Sequence, residues 1–196
     1  MLAAVKYNLA HLVNFEGRDA RQTFWYYVLF LFIMQYILGF VVAIPVFGSM
    51  FGEIINAATR GASEVETEAM LMGRMASSLR MTMNVQLALG FVFWLLLVAA
   101  FARRLQDSGK PGWIAFATFA LAIAGQLYGL WYAGRLIDRM AVPPGGGNPV
   151  MAMNGMRGQV LGMSLFGWLP TILVVGFGIL RSDEGPNRYG DEPVRF

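Results

Sequence analysis

The stretch FWYYVLFLFIMQYILGFVVAIPVFG, residues 24–48, contains no Asp, Glu, Lys, Arg or His. A helix rises about 1.5 Å per residue, so about 20 such residues cross the hydrocarbon core of a bilayer. Residues 81–102, 113–134 and 159–180 are three further runs without a charged side chain. The pattern predicts an all-α integral membrane protein with four transmembrane helices. The first run is too long for the apolar part of a cleaved leader and lacks a small-residue cleavage site, so it is expected to act as an uncleaved anchor.

Composition agrees. Of 196 residues, 57% are hydrophobic and 14% charged, against about 25% charged in soluble domains; the mean hydropathy is +0.53. The length suits a single domain, 1–196. There is no cysteine, which removes disulfides, thiolate zinc sites and cysteine nucleophiles. The net charge of +3 comes from Lys and Arg scattered along the chain. That favours orientation in a bilayer and contact with anionic phospholipid headgroups, and no nucleic-acid partner is expected.

Four spans put both ends on one side. Lys6, Arg18, Arg21, Arg103, Arg104, Lys110, Arg181, Arg188 and Arg195 fall on that face, nine in all. Arg60, Arg74, Arg80, Arg135, Arg139 and Arg157 make six on the other. The positive-inside bias therefore places residues 1–23, 103–112 and 181–196 in the cytoplasm, and 49–80 and 135–158 outside it.

The first outer segment reads as more than a connector. Phe51, Ile54, Ile55 and Ala58 continue the helical pattern past Gly48, and Gly61 suits a helix end. Ser63 and Glu66 have capping-box spacing, and no strong breaker follows until Gly109. One helix is expected from about Glu64 to Leu105, on the order of 60 Å long and twice the bilayer core. The first two spans thus extend into an extracytoplasmic helical hairpin, with Pro45 kinking its outgoing arm. Residues 143–149, Pro-Pro-Gly-Gly-Gly-Asn-Pro, form a loop. Leu2, Val5, Leu9, Leu12 and Val13 recur at helical spacing, with Lys6 and Asn8 off the stripe, as in a helix lying in the membrane interface.

Within the spans the polar side chains are Gln35, Asn84, Gln86, Gln126 and hydroxyls. None of the buried acids or bases that serve proton relays is present there, which argues against proton-coupled transport. Gly125 and Gly129, continued by Ala133, have the spacing of a close helix crossing, as do Gly158 and Gly162.

Three motifs fall on the cytoplasmic face. They are Phe15-Glu16-Gly17-Arg18-Asp19-Ala20-Arg21-Gln22-Thr23-Phe24-Trp25, Arg103-Arg104-Leu105-Gln106-Asp107-Ser108-Gly109-Lys110-Pro111-Gly112-Trp113, and Gly185-Pro186-Asn187-Arg188-Tyr189-Gly190-Asp191-Glu192-Pro193. Together they resemble a bacterial inner-membrane family of unknown function typified by YhaH (domain of unknown function 805). Its usual motifs are F-x-G-R-x-x-R-x-x-F-W, R-R-L-H-D-x-G-x-S-G-W and N-R-Y-G-x-x-P. Here Gln106 replaces the family's histidine and Pro111 its second-motif serine. The resemblance implies the fold and an inner-membrane location, and supplies no activity.

Physically, Arg18, Arg21, Arg103, Arg104 and Arg188 gather at one rim with Asp107, Asn187 and Tyr189. Guanidinium groups pair with carboxylates or phosphates, so two uses compete. One is a latch in which Asp107 and tail groups tie the three segments together. The other is a site for a lipid phosphate or small anion. Trp25 and Trp113 suit interfacial anchors in either case. His11, the only histidine, has no evident partner. Met70, Met72, Met75, Met151, Met153 and Met156 could offer thioethers to Cu(I), or pack in the ordinary way. With no nucleophile–base pair or phosphate-binding loop, the chain reads as a non-catalytic structural or accessory protein without a cofactor. Another membrane protein or a second copy is the expected partner, met through the outer hairpin.

Overall fold

The computed structural model describes residues 1–61, 63–141 and 167–193. Helix α1 spans Leu2–Ala10, α2 Arg21–Thr59, α3 Glu64–Asp107 and α4 Trp113–Ala141. A shorter apolar helix, α5, covers Gly167–Ile179. Among the described residues there is no strand; an isolated bridge joins Asn187 to Gly190.

Among the described residues, three segments are long and apolar enough to cross a membrane: Arg21–Pro45, Arg80–Asp107 and Trp113–Arg135. Residues 159–166 of the expected fourth span lie outside the described residues. So do the loop 143–149, the Gly158–Gly162 pair and Met151, Met153 and Met156. Of Met70, Met72 and Met75 only the helical backbone is described.

Both long helices run on past their apolar windows. Pro45 removes one backbone donor, yet α2 continues to Thr59. It stops where Gly61 takes φ +63° and its N–H reaches the Ala58 carbonyl at 3.3 Å, a conformation open to glycine at no steric cost. Helix α3 begins at Glu64, as expected, and ends two residues past the expected Leu105, at Asp107. It carries Arg103, Arg104 and Asp107 in its last turns, because these polar side chains are buried and partnered rather than solvated in a loop. Gly109, at φ +68°, and Pro111 then close the helix.

The packed core lies where the start of α2 meets the end of α3. Phe24, Tyr27, Val28 and Leu31 pack on Leu97, Phe101 and Leu105, with Ala115 of α4 and Val174 of α5. Away from it, large apolar side chains such as Phe40, Ile44 and Ile172 point outward, as a protein solvated by lipid permits. Helix α4 packs on α3. Gly90 is a point of close approach there: a Cβ on it would sit 2.6 Å from the Gln126 amide nitrogen. Gly125, Gly129 and Ala133 are half-buried, while Ala117, Ala120 and Ala124 are exposed.

Helix α1 packs on α2. Leu2, Leu9 and Val13 are exposed, and the buried face is Ala4, Val5 and Asn8. Asn8 turns inward because its amide donates to the Ala4 carbonyl (3.0 Å) and its oxygen accepts from Arg103 (2.7 Å).

Candidate functional site

Arg103 and Arg104 are adjacent on α3, so their side chains leave the helix about 100° apart and reach different neighbours. Arg103 turns towards the amino-terminal segment. Its Nε donates to Asp19 Oδ1 at 3.1 Å, and its terminal nitrogens donate to Asn8 Oδ1 (2.7 Å) and to the carbonyls of His11 (2.8 Å) and Asn14 (2.5 Å). The Asp19 backbone N–H returns a bond to the Arg103 carbonyl at 3.3 Å.

Arg104 turns the other way. It pairs with Asp107 one turn on (2.5 Å) and donates to the carbonyls of Gly178 (3.2 Å) and Leu180, at the end of α5. Its remaining contact is the Ser182 hydroxyl at 3.4 Å. Arg18, carried by the segment that follows α1, closes the set. Its Nε donates to the second Asp107 oxygen at 3.1 Å, and its terminal nitrogens donate to the carbonyls of Asp183 (2.6 Å) and Gly185 (2.5 Å). One carboxylate therefore holds two arginines, and the three arginines hold three separate stretches of chain.

All five charged residues are buried, Arg104 and Asp107 completely. Three cations face two anions, and the surplus is offset by backbone carbonyls. Those of His11, Gly178 and Leu180 lie at helix C-termini, which carry partial negative charge. Asp19 Oδ2 is buried with no hydrogen-bond partner. Burial pushes the Asp19 carboxyl above its ordinary range, against the pull of the Arg103 guanidinium.

The tail completes the arrangement from outside. Asn187 donates through its amide to the Gln106 carbonyl (3.0 Å) and to Asp183 Oδ2 (3.2 Å), and its oxygen accepts the Tyr189 N–H (2.9 Å). The Asp183 N–H reaches the Asp107 carbonyl at 2.8 Å. The Arg188 guanidinium lies over the Tyr189 ring, 4.6 Å from its centre, and is exposed. Arg21 is exposed as well, beside a cavity of about 320 Å³ that Arg181, Asp183, Glu184 and Glu192 also line.

Of the residues singled out by sequence, then, Arg18, Arg103, Arg104, Asp107 and Asn187 meet in one network, with Tyr189 at its edge. Arg21 and Arg188 remain at the surface. Asp19, Asn8 and Asp183 were missed. Charge balance could have pointed to Asp19, since three buried arginines need more than Asp107 to offset them. His11, read as lacking an evident partner, is engaged: its ring nitrogen sits 2.7 Å from the Tyr7 carbonyl, and its own carbonyl accepts from Arg103. Gln106, in the place of the family's histidine, has its Oε1 buried without a partner, and its amide nitrogen would lie 2.7 Å from a Cβ on Gly112. Among the described residues no group of three His, Cys, Asp or Glu side chains could hold a metal ion.

No curated protein and no solved structure matches the sequence. One family model does, over residues 12–191, a stretch that takes in the whole arginine–aspartate network and leaves out Asn8 and His11. The chain belongs to the family described as Protein of unknown function (DUF805).

Proposed function

We propose that this chain is a non-catalytic structural or accessory protein of the bacterial inner membrane, with four spans, both ends cytoplasmic and an outer helical hairpin that meets a partner. The observation that carries the reading is the spending of the buried guanidinium groups. The terminal nitrogens of Arg18, Arg103 and Arg104 all donate to acceptors of the same chain. The most polar motifs of the sequence thus brace the bundle, and surface for other molecules lies elsewhere. Helix α5 forms part of the fourth span in this reading, and the hairpin lies within residues 49–80.

Trimming residues 52–73 to a short turn tests it. The shortened protein is expected to insert normally and to lose whatever co-purifies with the full chain in mild detergent. Retention of that partner would end the hairpin reading. The competing role, binding of lipid headgroups or small anions at the rim, falls on the exposed Arg21 and Arg181 rather than on Arg103 and Arg104. Its mark would be bound phospholipid lost on Arg21→Gln. Cu(I) handling by the outer methionines is the most distant alternative, and uptake of Cu(I) by the purified protein would reveal it.

A further inference from the structure

We propose that a second copy of this chain docks along the outward face of α2, making the protein a parallel, two-fold dimer. The inference rests on the projection of the hairpin proposed above and names the partner that the hairpin meets.

The apolar run of α2 ends at Gly48, while the helix runs on to Thr59. The residues beyond it extend about 16 Å at 1.5 Å per residue. Within the bilayer an apolar face needs no protein against it, since lipid serves. Past Gly48 it does, yet Phe51 and Ile55 are each 65% exposed, and burial would be worth about 25 cal/mol per Å².

The exposed residues are not scattered. Ile37, Val41, Ile44, Gly48, Phe51 and Ile55 are separated by alternating steps of four and three, the spacing of the a and d positions of a heptad. All six are exposed. A sustained seven-residue repeat suits a left-handed pairing of two helices. The polar residues keep off this line: Ser49, Glu53 and Asn56 fall at b and f positions. Glu53 is already engaged with Arg74 of its own α3 at 2.5 Å. A cavity-free approach is open at Gly48 and Gly52, where an added Cβ would meet nothing within 4 Å.

These features favour a second copy over an unlike partner. Both copies insert in the same sense, so their α2 helices run parallel, a facing a and d facing d, about an axis along the membrane normal. A self-facing seam is disfavoured by charge, and this one has none at a, d, e or g. Size is adequate too. With the flanking Phe40 and Ile54, the stripe has seven large apolar side chains that are 42–72% exposed, enough to approach the roughly 800 Å² per partner of a standard interface.

The absence of cysteine makes the test direct. Phe51→Cys, Ile55→Cys and Asn56→Cys versions of the full chain are oxidised with copper phenanthroline in native membranes. A disulfide-linked band at twice the monomer mass is expected from Phe51→Cys and Ile55→Cys, and not from the off-seam Asn56→Cys. No such band, an equal yield from Asn56→Cys, or a band of some other mass would overturn the proposal. In mild detergent, Ile55→Glu should convert a dimer to a monomer by light scattering while Asn56→Glu does not; equal behaviour would count against the seam. Labelling of Arg60→Cys by an impermeant maleimide separates the two readings. Labelling from outside without cross-linking defeats the dimer and leaves the hairpin standing. Labelling from the cytoplasmic side alone defeats both.

Discussion

Asp107 is the side chain on which most depends, because each of its oxygens accepts from a different buried arginine. Removing one partner of a buried ion pair strands the other in a medium that solvates charge poorly, at a cost of about 3–5 kcal/mol. Asp107→Ala strands two. It is expected to lower thermal stability in detergent by at least that amount, whereas Lys110→Ala, at an exposed site, should stay within about 0.5 kcal/mol. Equal losses would refute the latch. Asp19 gives a test by pH. Its carboxyl is raised by burial more than Arg103 lowers it, so the folded state holds that proton more tightly than the unfolded one. Its stabilising share is then full below the ordinary value of about 3.9 and is lost as pH rises through the higher folded value. The Tm of the native protein relative to Asp19→Asn should fall as pH climbs from about 4. A rise would show that the ion pair outweighs burial. The pairing of Asp107 with arginines was legible from the motifs. Asn8 was not, because one amide on a short amphipathic helix gives no hint that it points inward.

At the scale of elements, the lengths of α2 and α3 followed from the absence of breakers and from Gly61 and Gly109. The burial of Arg103 and Arg104 did not. Both read as rim residues, since hydropathy registers charge and not its partners. The seating of α5 was equally hidden. A Cβ on Gly178 would lie 2.9 Å from Phe24 Cε1 and 3.0 Å from Trp25 Cζ2, while one on Gly176 would meet nothing within 4 Å. Both glycines are helical, so replacement by alanine brings the same propensity gain of about 1 kcal/mol. Gly176→Ala is expected to be neutral or mildly stabilising. Gly178→Ala must push against two aromatic rings and should lose about 1–3 kcal/mol to overpacking. Thermal unfolding of the pair decides whether α5 sits where the structure puts it, and similar Tm values would say that it does not.

For the molecule as a whole, orientation is the property most open to experiment. Nine basic residues against six set the expected sense of insertion. Arg60→Cys should react with an impermeant reagent from outside the inner membrane, and Lys110→Cys only once the cytoplasmic side is opened. The reverse pattern would invert the topology. The arginine network also bears on how the molecule is made. Ribosomes add about 5–20 residues per second, so several seconds separate Arg104 from its acceptors at Gly178 and Leu180. During that interval a cation destined for complete burial has three of its four partners unmade, and Arg18 waits longer still for Gly185. A chain cut before residue 178 would leave Arg104 without its Gly178, Leu180 and Ser182 acceptors and Arg18 without those of Asp183 and Gly185.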